Sequence, residues 1–409
     1  MESPRLIAGL TRIVRDVGLA EDFAQDAMIA AIQLWPESGV PDNPAAWLTA
    51  VAKRRAIDHV RRSVTHVRKA AEMGRAAEIG QGTEAELVEA IDNAAIGDDL
   101  LRLIFVCCHP VLSMEARLAL TLRLLGGLRT DEIARAFLVA DSTIAQRIVR
   151  AKRTLAEARV PFEVPTGADF EARLGSVLQV IYLVFNEGYS ATAGDDWIRP
   201  SLTEDALRLA RVLAGLVPGK VEVHGLLALL ELQASRTRAR VGAGGRPIPL
   251  ADQNRARWDR LLIGRGLASL ARAEALGGPR GPYALQAAIA AVHAQAGTPA
   301  ETDWPRIVAL YDALEQLMPS PIVALNRAVA VSMAFGPAAG LELVDALRSD
   351  PALVAYHLLP AVRGDLLAKL GRYGEAVVEL RRAAALTRNL PERTLLLERA
   401  AANAAQISG

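Results

Sequence analysis

An all-α fold is expected for this chain on three grounds. Hydrophobic residues make up 51% of its 409 residues, while aromatic residues make up only 4%. A core built from Leu, Ala and Val favours helices over β-sandwiches. Apolar residues also recur at intervals of three and four, as at Leu118, Leu122 and Leu125, which is the spacing of one helical face. A chain of this length has room for two or three domains.

The first clearly amphipathic segment is residues 19–35, LAEDFAQDAMIAAIQLW. We expect it to form a helix with three acids close to its start, Glu21, Asp22 and Asp26. Negative charge is favourable there because the N-terminal end of a helix carries a partial positive charge.

A strongly basic helix is predicted at residues 43–69, NPAAWLTAVAKRRAIDHVRRSVTHVRK. Asn43 suits the N-cap position and Pro44 suits the first turn. Between residues 53 and 69 there are seven Arg or Lys and a single acid, Asp58. Such a run binds phosphate backbones by releasing counterions. A solvated basic face is the alternative. The predicted packing stripe of this helix consists of Trp47, Leu48, Val51, Ile57 and Val60.

An acidic connector is expected to follow. Residues 76–101 contain seven acids and no Arg or Lys. A negative segment between two cationic ones would not compete with them for DNA. A flexible acidic linker without a defined path is the alternative.

The adjacent Cys107 and Cys108, followed by His109, are expected to belong to a buried helix. A metal site is disfavoured because neighbouring helical side chains point about 100° apart and no fourth ligand is near in the sequence. A disulfide between adjacent residues would be strained. Pro110 is expected to end this helix.

A helix-turn-helix is predicted at residues 115–159. Gly126 and Gly127 break its first helix, Thr130 is suited to cap a short second helix, and Asp141 or Ser142 is suited to cap the third. Between residues 142 and 156 there are four Arg or Lys and no acid. In such a motif the last helix enters the major groove, although a helical hairpin with a solvated charged face has the same pattern. Ile144, Ile148 and Leu155 are expected to point inward.

Taken together, residues 5–159 resemble the σ70 family of bacterial RNA polymerase initiation factors, specifically the extracytoplasmic-function (ECF) class. AEDFAQDAMIAAIQLW is similar to the helix that docks on the polymerase β′ clamp helices. WLTAVAKRRAIDHVRR is similar to the helix that melts and reads the −10 element, and DEIARAFLVADSTIAQRIVRAKRTL to the −35-reading helix-turn-helix. The resemblance implies an initiation factor whose partners are core RNA polymerase (β′ and β subunits) and promoter DNA. It implies no enzyme activity, no cofactor and no metal.

The resemblance also assigns roles to single residues. Asp22, Gln25 and Asp26 would contact core polymerase. Trp47 would lie where the DNA strands are separated, and a place in the hydrophobic core is the alternative. The Asp-Ser-Thr at the start of the recognition helix departs from the commoner Gly before Thr, so base preference stays open. The set for the −10 region is Trp47, Lys53, Arg54, Arg55, Asp58, His59, Arg61 and Arg62. The set for the −35 region is Asp141, Ser142, Thr143, Ala145, Gln146, Arg147, Arg150, Lys152 and Arg153.

Beyond residue 160 the sequence predicts further helices. VPFEVPTG is a Pro-bearing junction. Residues 361–390 have the small and large spacing of a tetratricopeptide-like (TPR-like) helix pair, and 320–347 and 281–319 are looser copies. Stacked pairs would leave a concave surface for a protein partner or ligand, whereas an irregular helical bundle would not. The resemblance extends here to ECF factors with a long TPR-like extension.

The polar stretch FNEGYSATAGDDW is expected to be a loop between two helices. Its Glu187, Tyr189, Asp195, Asp196 and Trp197 would line a ligand pocket or contact the basic modules, or else serve as helix caps and turn residues. His224 is expected to be an interior residue. The sequence contains no phosphate-binding loop, nucleophile elbow, zinc-protease or dinucleotide pattern, so no catalytic site is predicted.

Five segments are therefore expected: region 2 at 1–70, an acidic linker at 71–100, region 4 at 101–160, a helical extension at 161–280 and TPR-like repeats at 281–409. The expected function is promoter-specific initiation. We expect the C-terminal domain to regulate it, either by inhibiting activity or by being required for it. A helix-turn-helix regulator acting without polymerase and a TPR-type adaptor are the rivals. Dispersed charges in the first 30 residues and the lack of a long apolar run predict a cytoplasmic protein with no membrane segment.

Overall fold

The computed structural model describes residues 2–72, 96–137, 139–191, 193–277 and 281–408. Helices dominate these residues, which confirms the all-α fold. The chain forms two compact units, Met1–Val180 and Ile181–Gly409. Among the described helices, none is long and apolar enough to cross a membrane.

In its described residues, the first unit contains seven helices and the first half of an eighth. They are α1 (Glu2–Val14), α2 (Val17–Ser38), α3 (Pro44–Glu72), α4 (Ile96–Cys107), α5 (Met114–Thr121), α6 (Thr130–Phe137), α7 (Asp141–Glu157) and α8 (Gly167–Tyr189).

Helices α1, α2 and α3 pack on one another, and α1 also packs on α4. Leu10 of α1 and Ala52 and Ala56 of α3 are fully buried. Asn43 caps α3 as expected, because its side chain accepts from the backbone N–H of Ala46 at 3.0 Å. The predicted stripe of α3 is only half-buried, since the closest packing falls on its alanines.

The helix-turn-helix has the expected order of elements. Ser113 caps α5 by accepting from the N–H of Ala116, and a π-helical turn, Leu122–Gly126, continues it. Gly127 then adopts φ 76°, a left-handed conformation that costs glycine little, and the helix ends there. Helices α6 and α7 follow, and both α5 and α6 pack on α7.

The helix bounds add detail around the expected segment boundaries at residues 71–100 and 160–161, and the division into segments stays a prediction. Helix α3 continues to Glu72 and α4 already begins at Ile96, so Asp99 is a buried helical residue paired with Arg12 and Arg102. Residues 73–95 lie outside the described part of the chain. The first unit continues to Val180 because α8 contributes contacts to it. Arg173 donates to the carbonyl oxygen of Phe105 at 3.2 Å, and Ser176 donates to that of Cys108 at 2.9 Å.

The second unit begins within α8 and continues, over the residues that the structure describes, with ten α-helices. They are α9 (Pro200–Leu216), α10 (Val221–Ala234), α11 (Arg260–Ala275), α12 (Pro282–Gln295), α13 (Trp304–Leu317), α14 (Pro321–Phe335), α15 (Pro337–Ala346), α16 (Leu358–Lys369), α17 (Tyr373–Leu386) and α18 (Leu390–Ser408). The strands β1 (Ala193–Gly194) and β2 (Arg388–Asn389) form a small parallel pair.

Consecutive helices from α12 to α18 pack against one another. In α17, Ala376, Leu380 and Ala383 are fully buried, which is the small and large pattern seen in the sequence. Gly364 of α16 allows close approach, because a Cβ built there would lie 2.9 Å from Cγ of Leu380. This packing agrees with the predicted helix pairs, and their assignment to the TPR class stays a prediction.

Candidate nucleic-acid interface

Helix α7 has a buried face and an exposed polar face. Ile144, Ile148, Ala151 and Leu155 are buried, which confirms the three apolar positions predicted from the sequence. Arg147 is half-buried. The exposed members of the predicted −35 set are Asp141, Ser142, Thr143, Ala145, Gln146, Arg150 and Arg153.

The expected cap of α7 is wrong. Ala140 occupies the N-cap position with no side-chain cap, and its carbonyl oxygen accepts from the N–H groups of Thr143 and Ile144 at 2.9 and 3.3 Å. Asp141 is instead the first residue of the helix. Ser142 makes no capping hydrogen bond at the start of α7. Like Thr143, it is exposed on the first turn of this helix.

Helix α3 presents its basic residues unevenly. Arg54, Asp58, Arg61 and Arg62 are exposed, whereas Lys53 and Arg55 are half-buried. Arg62 Nε donates to the carbonyl oxygen of Asp58 at 3.1 Å. Arg54, Arg61 and Arg62 therefore make the exposed part of α3 basic.

Two aromatic members of the −10 set pack against α2. The ring centroids of Trp47 and Trp35 are 5.5 Å apart with their planes at 62°. The ring of His59 lies 5.6 Å from that of Phe23. Both side chains are half-buried, so each contributes to the α2–α3 interface in this conformation.

The exposed face of α2 combines acids with apolar side chains. Asp22, Gln25 and Asp26 are all exposed, as their predicted role requires. Ile29 and Ile32 continue along the helix and are 52% and 75% exposed. These two isoleucines were not among the residues predicted from the sequence. Ile29 lies four residues after Gln25 and three after Asp26, and Ile32 lies three after Ile29. This spacing places them on one helical face and was the signal in the sequence.

Acids of α2 reach the two cationic helices. Asp26 pairs with Arg55 of α3 at 3.0 Å, and both side chains are substantially exposed. Glu21, which is 4% exposed, pairs with Arg123 at 2.7 Å and with Lys152 of α7 at 2.5 Å. Lys152, expected among the DNA contacts, is thus held against α2 in this conformation.

The charge state of Glu21 follows from these contacts. Burial alone would raise the pKa of its carboxyl group, but the hydrogen bond and charge of Lys152 and the charge of Arg123 outweigh burial and lower it. Glu21 is therefore ionised at neutral pH. From the sequence, Glu21 was predicted only to interact with the helix dipole. Its position among Ala20, Ala24 and Ala27 on the buried face of α2 was the signal for a partner.

Cys107 and Cys108 lie in the core, as predicted. Burial raises the pKa of the Cys108 thiol to about 11 and that of Cys107 well above its usual value. Both thiols are therefore protonated and unreactive at neutral pH.

The polar stretch after α8 is only partly a loop, because Glu187 and Tyr189 still belong to that helix. Glu187 pairs with Arg199, and Tyr189 accepts from Arg236. Asp195 and Asp196 are exposed and Trp197 is half-buried. Asn389 holds the following turn by donating to the carbonyl oxygens of Ala191 and Asp196 at 3.1 and 2.9 Å. His224 is half-buried and bonds to the carbonyl oxygen of Pro218.

Three family models match parts of the chain. Residues 1–65 match sigma-70 region 2 and residues 102–155 match sigma-70 region 4. Residues 173–274 match a family of unknown function, DUF6596. Most of α3 and nearly all of α7 thus lie within the two sigma-70 matches.

Relatives match the chain over most of its length or over a part of it. An uncharacterized protein of Rhizobium meliloti (strain 1021) is 45% identical over 389 residues, which is 95% of this chain and 91% of that protein. The ECF RNA polymerase sigma factor SigK of Mycobacterium ulcerans (strain Agy99) is 28% identical over 155 residues, 37% of this chain and 78% of SigK. SigK of Mycobacterium sp. (strain KMS) is 39% identical over 61 residues, 14% of this chain and 30% of that protein. No solved structure matches the chain.

Proposed function

We propose that this chain, as a member of the sigma-70 family, binds core RNA polymerase and directs promoter-specific transcription initiation. Membership rests on regions 2 and 4 in their expected order and on similarity to ECF sigma factors. The chain and the Rhizobium meliloti protein belong to one family over nearly their whole lengths.

The observation that carries the proposal is the pair of exposed cationic helices within one compact unit. Helix α3 offers Arg54, Arg61 and Arg62, and α7 offers Arg150 and Arg153. Each phosphate neutralised on duplex DNA adds about 0.9 to the salt dependence of binding. Two such surfaces on one chain suit two separate promoter elements, with α3 at the −10 element and α7 at the −35 element.

Base reading is proposed for the start of α7. In a helix-turn-helix the N-terminal residues of the recognition helix meet base edges in the major groove. Ser142, Thr143 and Gln146 are exposed in the first two turns of α7 and carry donors and acceptors suited to that task. Arg150 and Arg153 lie further along the exposed face of α7, and we assign them to the phosphate backbone.

Polymerase binding is proposed for the exposed face of α2. Ile29 and Ile32 provide apolar area that water contacts in the free chain, and Asp22, Gln25 and Asp26 border it. A partner surface with basic and apolar residues would cover this face. Exposed apolar area bordered by polar residues is typical of interaction sites.

We propose that polymerase binding and DNA binding are coupled through α2. Asp26, a proposed polymerase contact, pairs with Arg55, a proposed DNA contact. If a basic residue of the polymerase paired with Asp26, Arg55 would be free to bind a DNA phosphate. The pair formed by Glu21 and Lys152 must likewise open before Lys152 binds DNA.

The second unit is proposed to regulate the first. The division into two compact units after Val180 suggests one place to test this. A truncation that ends at Val180 keeps Arg173 and Ser176, which bond to the carbonyl oxygens of the segment before α5. Higher promoter output from that truncation would indicate inhibition by the second unit, and lower output a requirement for it. Unchanged output would refute regulation.

The experiment for the function itself is co-purification with core RNA polymerase. The full chain is mixed with core enzyme and separated by size-exclusion chromatography, with and without promoter DNA. We expect a complex with the core enzyme in the absence of DNA. A chain that binds duplex DNA alone and never co-elutes with the core enzyme would instead be a conventional helix-turn-helix regulator.

A further inference from the structure

The second unit contains a cavity that none of the preceding roles uses. Its volume is about 310 Å³, which lies at the small end of the usual range for ligand sites. Four aromatic side chains line it: Tyr182, Phe185, Tyr189 and Tyr311. Tyr182 and Tyr311 lie in α8 and α13, so the walls come from helices that are far apart in the sequence.

The cavity has one charged lining residue, Arg236, and no acidic one. The guanidinium of Arg236 donates to the Tyr189 hydroxyl at 2.5 Å and lies 5.7 Å from the ring centroid of Trp258. None of the carboxylates in the described part of the chain pairs with it. A half-buried guanidinium that touches only a phenol and aromatic rings keeps a net positive charge at the cavity wall.

Two further arginines next to the cavity have the same character. Arg240 is 8% exposed and donates to the carbonyl oxygen of Tyr189 at 3.0 Å. Arg255 is 7% exposed and donates to the carbonyl oxygen of His293 at 2.8 Å. Both donate to neutral carbonyl oxygens, and the Nε of each is buried without a hydrogen-bond partner in the described residues, so the region around the cavity is electropositive.

Unpartnered polar atoms also line the cavity. His293 is 8% exposed, and its Nδ1 is buried without a hydrogen-bond partner in the described structure. The Oε1 of Gln233 is buried in the same way. Burial, together with the charges of Arg236 and Arg255, lowers the pKa of His293 to about 4, so its ring is neutral at physiological pH. Buried polar atoms normally have partners, and both residues line the cavity, so a ligand bound there would be in reach to supply them.

We propose that this cavity binds a small planar organic carboxylate, with the carboxylate on Arg236 and the ring among the tyrosines. The planar fork of a guanidinium matches a carboxylate. The lining holds one cation and no acid, which suits a ligand that carries a single negative charge. Gln233 and His293 would bond to polar substituents of the ring. This inference stands independently of the proposed promoter function.

The test measures binding of benzoate to the full chain by ligand-observed NMR titration, with benzamide as the neutral probe of the same shape. We expect saturable benzoate binding at least tenfold tighter than that of benzamide. Arg236→Gln should weaken benzoate binding at least tenfold. Arg238→Gln, which removes an exposed arginine two residues away, should leave it unchanged. Absent benzoate binding, equal affinities for the two probes, or equal effects of the two variants would overturn the proposal.

Arg236 also contacts Tyr189 and Trp258, so its substitution changes the packing there as well as the charge. A second variant therefore tests the site without altering Arg236. Ala290 lines the cavity and is 9% exposed. Ala290→Leu fills the cavity while every arginine stays in place, and circular dichroism checks its fold. Loss of benzoate binding in a folded Ala290→Leu protein supports the site. Wild-type binding in that protein would overturn it.

Discussion

The carboxylate Oε2 of Glu21 lies 2.5 Å from Nζ of Lys152, which joins the helix proposed to bind polymerase to the helix proposed to read the −35 element. The same carboxylate accepts from Arg123 Nε at 2.7 Å. The side chain of Glu21 is only 5% exposed, whereas those of Lys152 and Arg123 are 21% and 25% exposed. One buried acid thus holds regions 2 and 4 together in this conformation.

Neutralising Glu21 should loosen that contact. Glu21→Gln leaves two partly buried cations without their carboxylate, so we expect the free energy of unfolding to fall by about 1–3 kcal/mol, below the cost for a fully buried pair. Lys152 would also become available, and duplex DNA should bind more tightly in the absence of polymerase. Chemical denaturation and fluorescence anisotropy measure the two effects.

The matched control is Asp22→Asn, which removes the same charge from an exposed position one residue further along α2. It should leave the unfolding free energy within about 0.5 kcal/mol of the wild type. If the two variants changed stability and DNA binding equally, Glu21 would have no special role in holding the helices together.

The exposed arginines of α7 should bind phosphates. Arg150→Ala should weaken promoter binding by the polymerase complex and lower the salt slope by about 1. Measuring affinity over a range of salt concentrations separates this loss from a change in base preference. Arg272→Ala, at an exposed position in the second unit, is the control and should leave the slope unchanged. An unchanged slope for Arg150→Ala would remove this residue from the DNA surface.

The apolar face of α2 should bind core polymerase. Ile32 is 75% exposed, so Ile32→Ser should leave the fold intact and weaken binding to the core enzyme at least tenfold. Ile322, which is 46% exposed in the second unit, supplies the matched control Ile322→Ser. Titration of labelled chain with core enzyme measures both. Equal affinities for wild type and Ile32→Ser would place the polymerase contact elsewhere.

His293 should make the second unit sensitive to acid. Its pKa is about 4 in the folded chain and near 6.5 in an unfolded one, so the unfolded chain takes up the proton first as pH falls. The stabilisation from the neutral ring is complete above about pH 6.5 and is lost as pH falls towards 4. We expect a loss of about 3 kcal/mol at most, from 1.36 kcal/mol per pKa unit.

The comparison with His293→Phe isolates this effect, because the variant keeps a ring against Trp304 but has no proton to gain. Denaturation at pH 7, 5 and 4 should show the wild type losing stability relative to the variant. A constant difference between the two proteins across this pH range would contradict the assignment of a neutral buried histidine.

Local features were predictable from the sequence because they depend on neighbours in the chain. The inward positions Ile144, Ile148 and Leu155 follow from helical periodicity, and the cap at Asn43 follows from its own side chain. The cap of α7 was missed because the backbone at Ala140 is extended and its carbonyl meets the first turn without a side chain.

Long-range pairings were beyond sequence reasoning. The contact between Glu21 and Lys152 depends on how region 2 packs on region 4, and no spacing along the chain encodes it. The cavity beside His293 was equally hidden, because its walls come from helices α8, α10, α12, α13 and α14. Tyr189 was a candidate ligand residue in the sequence, but its partner Arg236 emerged only from the fold.

The most direct measurement is transcription in vitro on sheared genomic DNA, with core polymerase plus the full chain and mapping of the 5′ ends of the transcripts. We predict a discrete set of start sites that core enzyme alone does not produce. Arg61→Ala and Arg150→Ala should each diminish those transcripts, because both cationic helices are needed. Start sites identical to those of core enzyme alone, or transcripts unaffected by both variants, would contradict the account.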